Sequence, residues 1–266
     1  MRVAVIGAGR MGSGIAQVFL SAGAHVAVRD PLIDPAPAIG RGLRTAQSKG
    51  GGSADEALGR LTVGAVPYDS DLVIEAVPED PGLKASVLAE VEEQVHDGAV
   101  LATNTSSLSI TELSAALKRP ERFLGMHFFN PVPVQRLVEL VVTPATQVLE
   151  QVRGYVGLLG KTAVVVNDSP GFATSRLGVL LGLEAIRMVE EGVASADDID
   201  TAMTLGYGYP MGPLRLGDLV GLDVRLAIAD HLHARLGPRF EPPELLRWMV
   251  ARGELGRKTG RGFYQW

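Results

Sequence analysis

The sequence predicts an α/β protein: a doubly wound, mostly parallel sheet in the N-terminal part and an all-α domain after it. Three observations carry this. The chain opens with a β-branched apolar run that passes through a glycine turn into a helical pattern. From there to about residue 168, short apolar strands alternate with amphipathic helical stretches. Beyond that point strand-like runs stop and helical patterns alone remain.

The first strand is Arg2 to Ile6, whose V-A-V-I run suits burial on both faces. Gly7-Ala8-Gly9-Arg10-Met11-Gly12 follows, then a helix with Ile15, Val18, Phe19 and Ala22 on one face. Gly7 permits the tight turn, Gly9 leaves room for a pyrophosphate, and Gly12 lets helix and strand pack closely. The helix N-terminus offers N–H groups and partial positive charge to phosphates. A second strand, Ala24 to Val28, ends near Asp30, where a carboxylate can accept hydrogen bonds from the adenosine ribose hydroxyls and repel a 2′-phosphate. The expected cofactor is therefore NAD rather than NADP, on a Rossmann-type sheet. The alternative is a glycine turn in an α/β protein that binds no cofactor.

With 266 residues the chain suits one large domain or two smaller ones. An apolar content of 46% and a mean hydropathy of +0.18 supply a core and point to a buried subunit interface. A net charge of −5 argues against a nucleic-acid partner. The absence of cysteine excludes disulfides and thiolate chemistry. No apolar run reaches membrane-spanning length and no leader precedes the first strand, so the expectation is a cytoplasmic protein with no membrane partner.

After Asp30, Pro31, Pro35 and Pro37 exclude an immediate helix. Residues 39–60 read as a short helix, a hinge at Gly50-Gly51-Gly52 and a second helix from Ser53; the whole excursion, about 35–60, is a helical arm. From Pro35 to Ala54 it carries Arg41, Arg44 and Lys49 and no acid, a bias suited to a polyanionic ligand. A solvated excursion explains the same bias.

The alternation then resumes. Leu61 to Val63, Asp71 to Ala76 and Val100 to Thr103 are strands, with an amphipathic helix over Gly82 to Val95. A helix over Ile110 to Leu117 is capped by Ser109, with Glu112 as capping-box partner. Phe123 to His127, Leu137 to Val142 and Thr162 to Val166 are strands, and Thr146 to Leu159 is a helix. The domain boundary is expected near Asp168, giving a cofactor domain over 1–168 and a helical domain over 169–266. In the second domain Ser169-Pro170-Gly171 starts a helix to about Glu191, apolar over much of its circumference and suited to a subunit contact. Ser195 to Leu205, Pro213 to Val220, Asp223 to Leu236 and Pro243 to Ala251 are helical as well.

Sheets of this kind bind ligands at the carboxyl ends of their strands. Asn104, Thr105 and Ser106 follow one such end, and His127 closes another. Glu139 lies within an apolar strand, which is costly for a carboxylate without a partner. His127 is the expected partner. A Glu–His pair fixes the imidazole tautomer, so the ring can take a hydroxyl proton while hydride leaves to a nicotinamide. A purely structural His–Glu hydrogen bond fits the same spacing. No metal site is expected.

The sequence resembles the 3-hydroxyacyl-CoA dehydrogenase family, in its stand-alone bacterial form, over almost the whole chain. The motifs that carry the resemblance are Gly7 to Gly12, Glu75-Ala76-Val77-Pro78-Glu79, Asn104-Thr105-Ser106-Ser107, Gly125 to Pro131, Asp168 to Phe172, Tyr209 to Pro213 and Lys258 to Tyr264. The resemblance implies that His127 is the general base, Glu139 orients and supports it, and Ser106 holds the substrate's reacting oxygen. Asp30, Glu79, Lys84, Asn104 and Asn130 match NAD-contacting positions, Glu79 and Asn130 towards the nicotinamide end, and Met11 and Ala76 are expected to bind the cofactor with them. The arm matches one that lies against coenzyme A, with Ser48 and Lys49 as its contacts. The helical domain matches a dimerisation domain, so a homodimer is expected. The implied reaction is NAD-dependent oxidation of a (3S)-3-hydroxyacyl-CoA, a step of β-oxidation in fatty acid metabolism.

The chain departs from the family pattern at two places. Ser175 stands in Gly171-Phe172-Ala173-Thr174-Ser175-Arg176-Leu177 where an asparagine usually helps bind substrate, and a hydroxyl cannot donate and accept as an amide does. The arm is also shorter than the family's. Two further readings follow: the same hydride chemistry on a free hydroxy acid, sugar acid or hydroxy-amine, and a dinucleotide-binding protein without catalysis. The joint presence of Ser106, His127 and Glu139 speaks against the second.

Overall fold

The computed structural model describes residues 1–266 and divides into two compact units, Met1–Asp168 and Ser169–Trp266. In the first, β1 (Arg2–Ile6), α1 (Arg10–Ser21), β2 (His25–Arg29), α2 (Ala36–Gln47), α3 (Ala54–Leu58), β3 (Leu61–Val63), β4 (Leu72–Glu75), α4 (Pro81–Gln94) and β5 (Val100–Thr103) come first. They are followed by α5 (Ile110–Ser114), β6 (Phe123–Phe128), β7 (Leu137–Val142), α6 (Leu149–Leu158) and β8 (Thr162–Asn167). One eight-stranded sheet results, in the order β3-β2-β1-β4-β5-β6-β7-β8. The strand order reverses beside β1, the feature of a doubly wound sheet. Val3, Val5, Val26, Val28 and Ile74 pack from the sheet against Ile15, Phe19 and Leu20 of α1.

Every strand pairing is parallel except that of β6 with β7. The link over 129–136 contains no helix. Parallel neighbours need a crossover of about a dozen residues or more, so β7 turns back beside β6. This sets His127 directly opposite Glu139.

Several element ends differ from the sequence reading, each for a local reason. The arm helix α2 starts at Ala36, not residue 39, because Pro35 takes the N-cap position and Pro37 falls in the first turn, where a missing N–H costs nothing. Helix α6 starts at Leu149 rather than Thr146, whose hydroxyl is instead bonded to the Phe123 carbonyl at 3.0 Å. Helix α5 stops at Ser114. Its Ser109 cap is as expected: Oγ accepts from Glu112 N at 3.2 Å and donates to Asp168 at 2.8 Å.

The second unit contains α7 (Thr174–Glu190), α8 (Ala196–Thr201), α9 (Pro213–Val220), α10 (Leu222–Leu236) and α11 (Glu244–Ala251). Helix α7 starts later than expected because Gly171 and Phe172 both have positive φ, +75° and +49°, and form a turn. A π-helical segment, Ala202–Gly206, continues α8. Val179, Leu183, Ile186, Leu214, Leu222 and Leu232 form the core of this unit. The buried Asp218 accepts hydrogen bonds from Phe263 N, Tyr264 N and Trp266 Nε1, which anchors the end of the chain. No helix is long and apolar enough to cross a membrane.

The glycine turn imposes the tightest steric constraint. Gly7 has φ +100°, and a Cβ there would lie 2.6 Å from the Ala76 carbonyl oxygen; one on Gly12 would run into the Gly7 carbonyl. Gly12→Ala is therefore expected to destabilise the protein by about 1–3 kcal/mol, the usual range for overpacking. A urea midpoint unchanged from the wild type would show that the turn relaxes without cost.

Candidate active site

Two features shape the phosphate-binding end of the first unit. Gly9 is the N-cap of α1 and no side chain caps the helix there. A Cβ placed on Gly9 would meet nothing within 4 Å. The first-turn N–H groups and the space before them thus suit a diphosphate, a fit made by this chain's own backbone. Asp30 closes the turn from β2. Its Oδ2 accepts from Ala8 N at 2.7 Å, and its Oδ1 from Leu32 N at 2.8 Å and Ile33 N at 3.0 Å. Burial pushes its pKa up, but these backbone bonds outweigh burial and hold the carboxyl below its ordinary value. An ionised carboxylate therefore stands where the sequence reading places the adenosine ribose.

The carboxyl ends of β4, β5 and β6 surround one cavity. Met11, Ala76, Val77, Glu79, Asn104, Ser106, His127, Phe128, Phe129 and Asn130 line it. His127 Nδ1 lies 2.8 Å from Glu139 Oε2. Glu139 is fully buried and His127 is 7% exposed. The Phe129 ring lies against the imidazole, with centroids 4.3 Å apart. Asn104 is oriented by its Oδ1, which accepts from Phe128 N at 2.9 Å. The cavity thus gathers Met11, Ala76, Glu79, Asn104, Ser106, His127 and Asn130 from the residues singled out in the sequence.

Below this wall lies a polar cluster in which Glu79 and Lys84, matched by the resemblance to NAD-contacting positions, join Glu75, to which the sequence reading gave no role. Glu75, at the end of β4, is fully buried. Its Oε1 accepts from Lys84 Nζ at 2.8 Å and Val77 N at 2.6 Å, and its Oε2 from Thr103 Oγ1 at 2.5 Å. Lys84 is itself buried, also donates to the Val77 carbonyl, and lies 3.3 Å from Glu79 Oε2. Its ammonium is thus surrounded by the chain's own oxygens. Removing one partner of such a buried pair typically costs about 3–5 kcal/mol. Glu79 Oε1 accepts from Thr105 Oγ1 at 2.5 Å, Ser106 N at 3.1 Å and Ser107 Oγ at 3.1 Å. Burial raises the pKa of Glu79, and Lys84 with these three donors lowers it by more, so it stays below its ordinary value. The one available sequence signal was an acid within the apolar Asp71 to Ala76 run, the argument applied to Glu139.

Other candidates lie elsewhere. A second cavity, between α1, the arm and the loop after β6, is lined by Ala8, Gly9, Arg10, Ser13, Gln17, Ala38 and Asn130 to Pro133, so Asn130 borders both. Ser48 and Lys49 are exposed at the end of α2, and the Ser48 hydroxyl donates to Thr45 O at 2.9 Å. Ser175 lies in the first turn of α7, in the second unit. No group of three or more His, Asp or Glu side chains gathers in a way that could hold a metal ion.

Residues 2–169 match the family model described as "3-hydroxyacyl-CoA dehydrogenase, NAD binding domain", and residues 171–266 match "3-hydroxyacyl-CoA dehydrogenase, C-terminal domain". The chain is 48% identical to the 3-hydroxybutyryl-CoA dehydrogenase of Mycobacterium tuberculosis, over 99% of this chain and 97% of that protein. It is 39% identical to the mitochondrial hydroxyacyl-coenzyme A dehydrogenase of Sus scrofa, over 99% of this chain and 90% of that protein. The crystal structure of the (S)-3-hydroxybutyryl-CoA dehydrogenase from Ralstonia eutropha matches with a TM-score of 0.93 at 39% identity, covering 100% of this chain and 98% of that one.

Proposed function

The chain belongs to the 3-hydroxyacyl-CoA dehydrogenase family, and from that premise we propose that it oxidises a (3S)-3-hydroxyacyl-CoA, such as 3-hydroxybutyryl-CoA, to the 3-oxoacyl-CoA. The observation that carries the reading is the His127–Glu139 pair, 2.8 Å apart, beside Ser106, Asn104 and Asn130.

NAD, when bound, supplies the hydride acceptor. The remaining work falls to side chains of the cavity. With Nδ1 held by Glu139, the imidazole presents Nε2 to the 3-hydroxyl and takes its proton as hydride leaves C3. The imidazolium so formed stands against a fully buried carboxylate, where opposite charges attract strongly. Ser106 holds the reacting oxygen. Glu139 reaches the substrate only through His127 and is a positioning residue. Asp30 selects the adenosine end. The basic side chains Arg41, Arg44 and Lys49 of the arm suit the phosphates of coenzyme A. Ser175, at the position the resemblance gives to a substrate contact, lies in the second unit. That unit would supply the dimer contact: Leu177, Leu180, Leu216, Val220 and Val224 are exposed on α7, α9 and α10.

Three outcomes are expected. His127→Gln should lower kcat for 3-hydroxybutyryl-CoA by about 10²–10⁴-fold, the usual worth of a general base, while NAD still binds. Adding Glu139→Gln should cost less than its effect in the wild type, because Glu139 acts through His127; a single His127→Gln enzyme within threefold of wild-type kcat would refute the mechanism. Second, kcat/KM with acetoacetyl-CoA should be far higher for NADH than for NADPH, and equal values would remove Asp30 as the selector. Third, light scattering at micromolar protein should give the mass of a dimer, and a monomer mass would reject the proposed contact.

A further inference from the structure

Glu79 carries a charge that binding geometry alone does not require. Of the residues lining the His127 cavity, it is the one permanently ionised side chain. It belongs to the cluster with Glu75 and Lys84, whose formal charges sum to minus one. The two acids do not share Lys84 equally. Glu75 is sealed, takes the shorter contact at 2.8 Å, and has its other oxygen occupied by Thr103. Glu79 lies 3.3 Å from the ammonium and its side chain is 37% exposed. The surplus negative charge therefore sits on Glu79, at the cavity wall. The remaining acid nearby, Glu139, is sealed behind His127.

Hydride passes directly from the carbon whose hydroxyl His127 deprotonates, so the ring that accepts it must occupy this same cavity. That step rests on the function proposed above. A nicotinamide ring is cationic in NAD⁺ and neutral in NADH, whereas the adenosine end is the same in both. Asp30 consequently meets the same group before and after the reaction. Glu79 meets a charge that disappears.

We propose that Glu79 tunes the redox preference of the site, its charge shifting the balance of affinity towards the oxidised cofactor relative to a wall without that charge. Lys84 tempers the effect by drawing part of that charge inward. Hydrogen bonds from Thr105, Ser106 and Ser107 keep Glu79 ionised and aimed, and its lowered pKa agrees with a charge present across neutral pH.

The test measures dissociation constants of NAD⁺ and NADH by calorimetry, without turnover. Glu79→Gln keeps an oxygen to accept from Thr105 and Ser106 and loses the charge, together with the oxygen that faces Lys84. It should raise the ratio of the NAD⁺ constant to the NADH constant by about 3–10-fold, the scale of a partly screened charge pair. Tenfold would raise the potential of the bound couple by about 30 mV. Thr105→Val, which loosens the loop and keeps the charge, should leave the ratio within twofold, as should Asp30→Asn, which weakens both forms together. In the wild type the same ratio should climb as ionic strength rises, because salt screens Glu79 while its effect on the diphosphate cancels between the two forms; this holds even if the Gln variant does not fold. A ratio that Glu79→Gln leaves within twofold, that Asp30→Asn moves as much, or that salt does not move would overturn the proposal. A wild type that binds neither form would instead overturn the dehydrogenase reading beneath it.

Discussion

The pairing of β6 with β7 is the constraint on which the site depends. It is the one antiparallel pairing in the sheet, and its register sets His127 against Glu139. Strand side chains alternate between faces, so a slip of one residue would send Glu139 to the opposite face and leave a buried carboxylate without the imidazole. Register and hydrogen bond enforce each other: the sheet aligns the two groups, and the penalty for an unpartnered carboxylate opposes other alignments. The loop over 129–136 is shaped by the same turn. Lys161 donates to its Val132 and Gln135 carbonyls at 2.7 and 2.5 Å, and Val132 packs at the place where a Cβ on Gly14 would come. The loop that carries Asn130 is thus braced against the helix that begins at the glycine turn.

Acids are kept ionised in two different ways along this sheet. Asp30 is held by backbone N–H groups alone, and hydrogen bonds outweigh burial. Glu79 draws on the backbone, two hydroxyls and an ammonium. The difference follows from depth. Asp30 lies at the open end of β2, where the amides of Leu32 and Ile33 in the turning chain and of Ala8 in the glycine turn are available. Glu79 stands over the buried Lys84, and without that cation its burial would work against the charged form. Between them the glycine turn contributes no side chain at all, which leaves the anion site to the backbone of α1.

Much of this was legible in the sequence because it is local. Strand, glycine turn, helix and acid appear within thirty residues, and the Ser109 cap lies three residues from the amide it accepts. Glu139 could be read as paired because an acid in an apolar strand demands a partner. The cluster around Lys84 was not legible in the same way. Glu75 meets Thr103 across two neighbouring strands, and Glu79 meets Thr105, Ser106 and Ser107 in a loop that follows another strand. Such contacts depend on strand order, which periodicity does not specify. The start of α7 was misread for a related reason: Pro170 and Gly171 suggest a helix start, but Phe172 at positive φ prolongs the turn.

Buried acids in the two units show why a carboxylate in an apolar stretch does not by itself identify a reaction site. Asp218 is about as enclosed as Glu75, and Asp200 is buried too. Asp218 spends its oxygens on Phe263 N, Tyr264 N and the Trp266 indole; Asp200 accepts from Leu214 N, Arg215 N and the Tyr264 hydroxyl. Their donors are main-chain N–H groups and aromatic side chains that fasten the chain end to α9, so the carboxylates act as fixed connectors. Glu139 and Glu79 differ in what they touch. One holds a group that can gain a proton, and the other holds a cation on one side and borders a cavity on the other. In the proposed reaction the acids with a part are those that hold a titratable or charged group at the cavity wall, whereas Asp200 and Asp218 serve the architecture. Donor identity, more than burial, separates the two kinds in this chain.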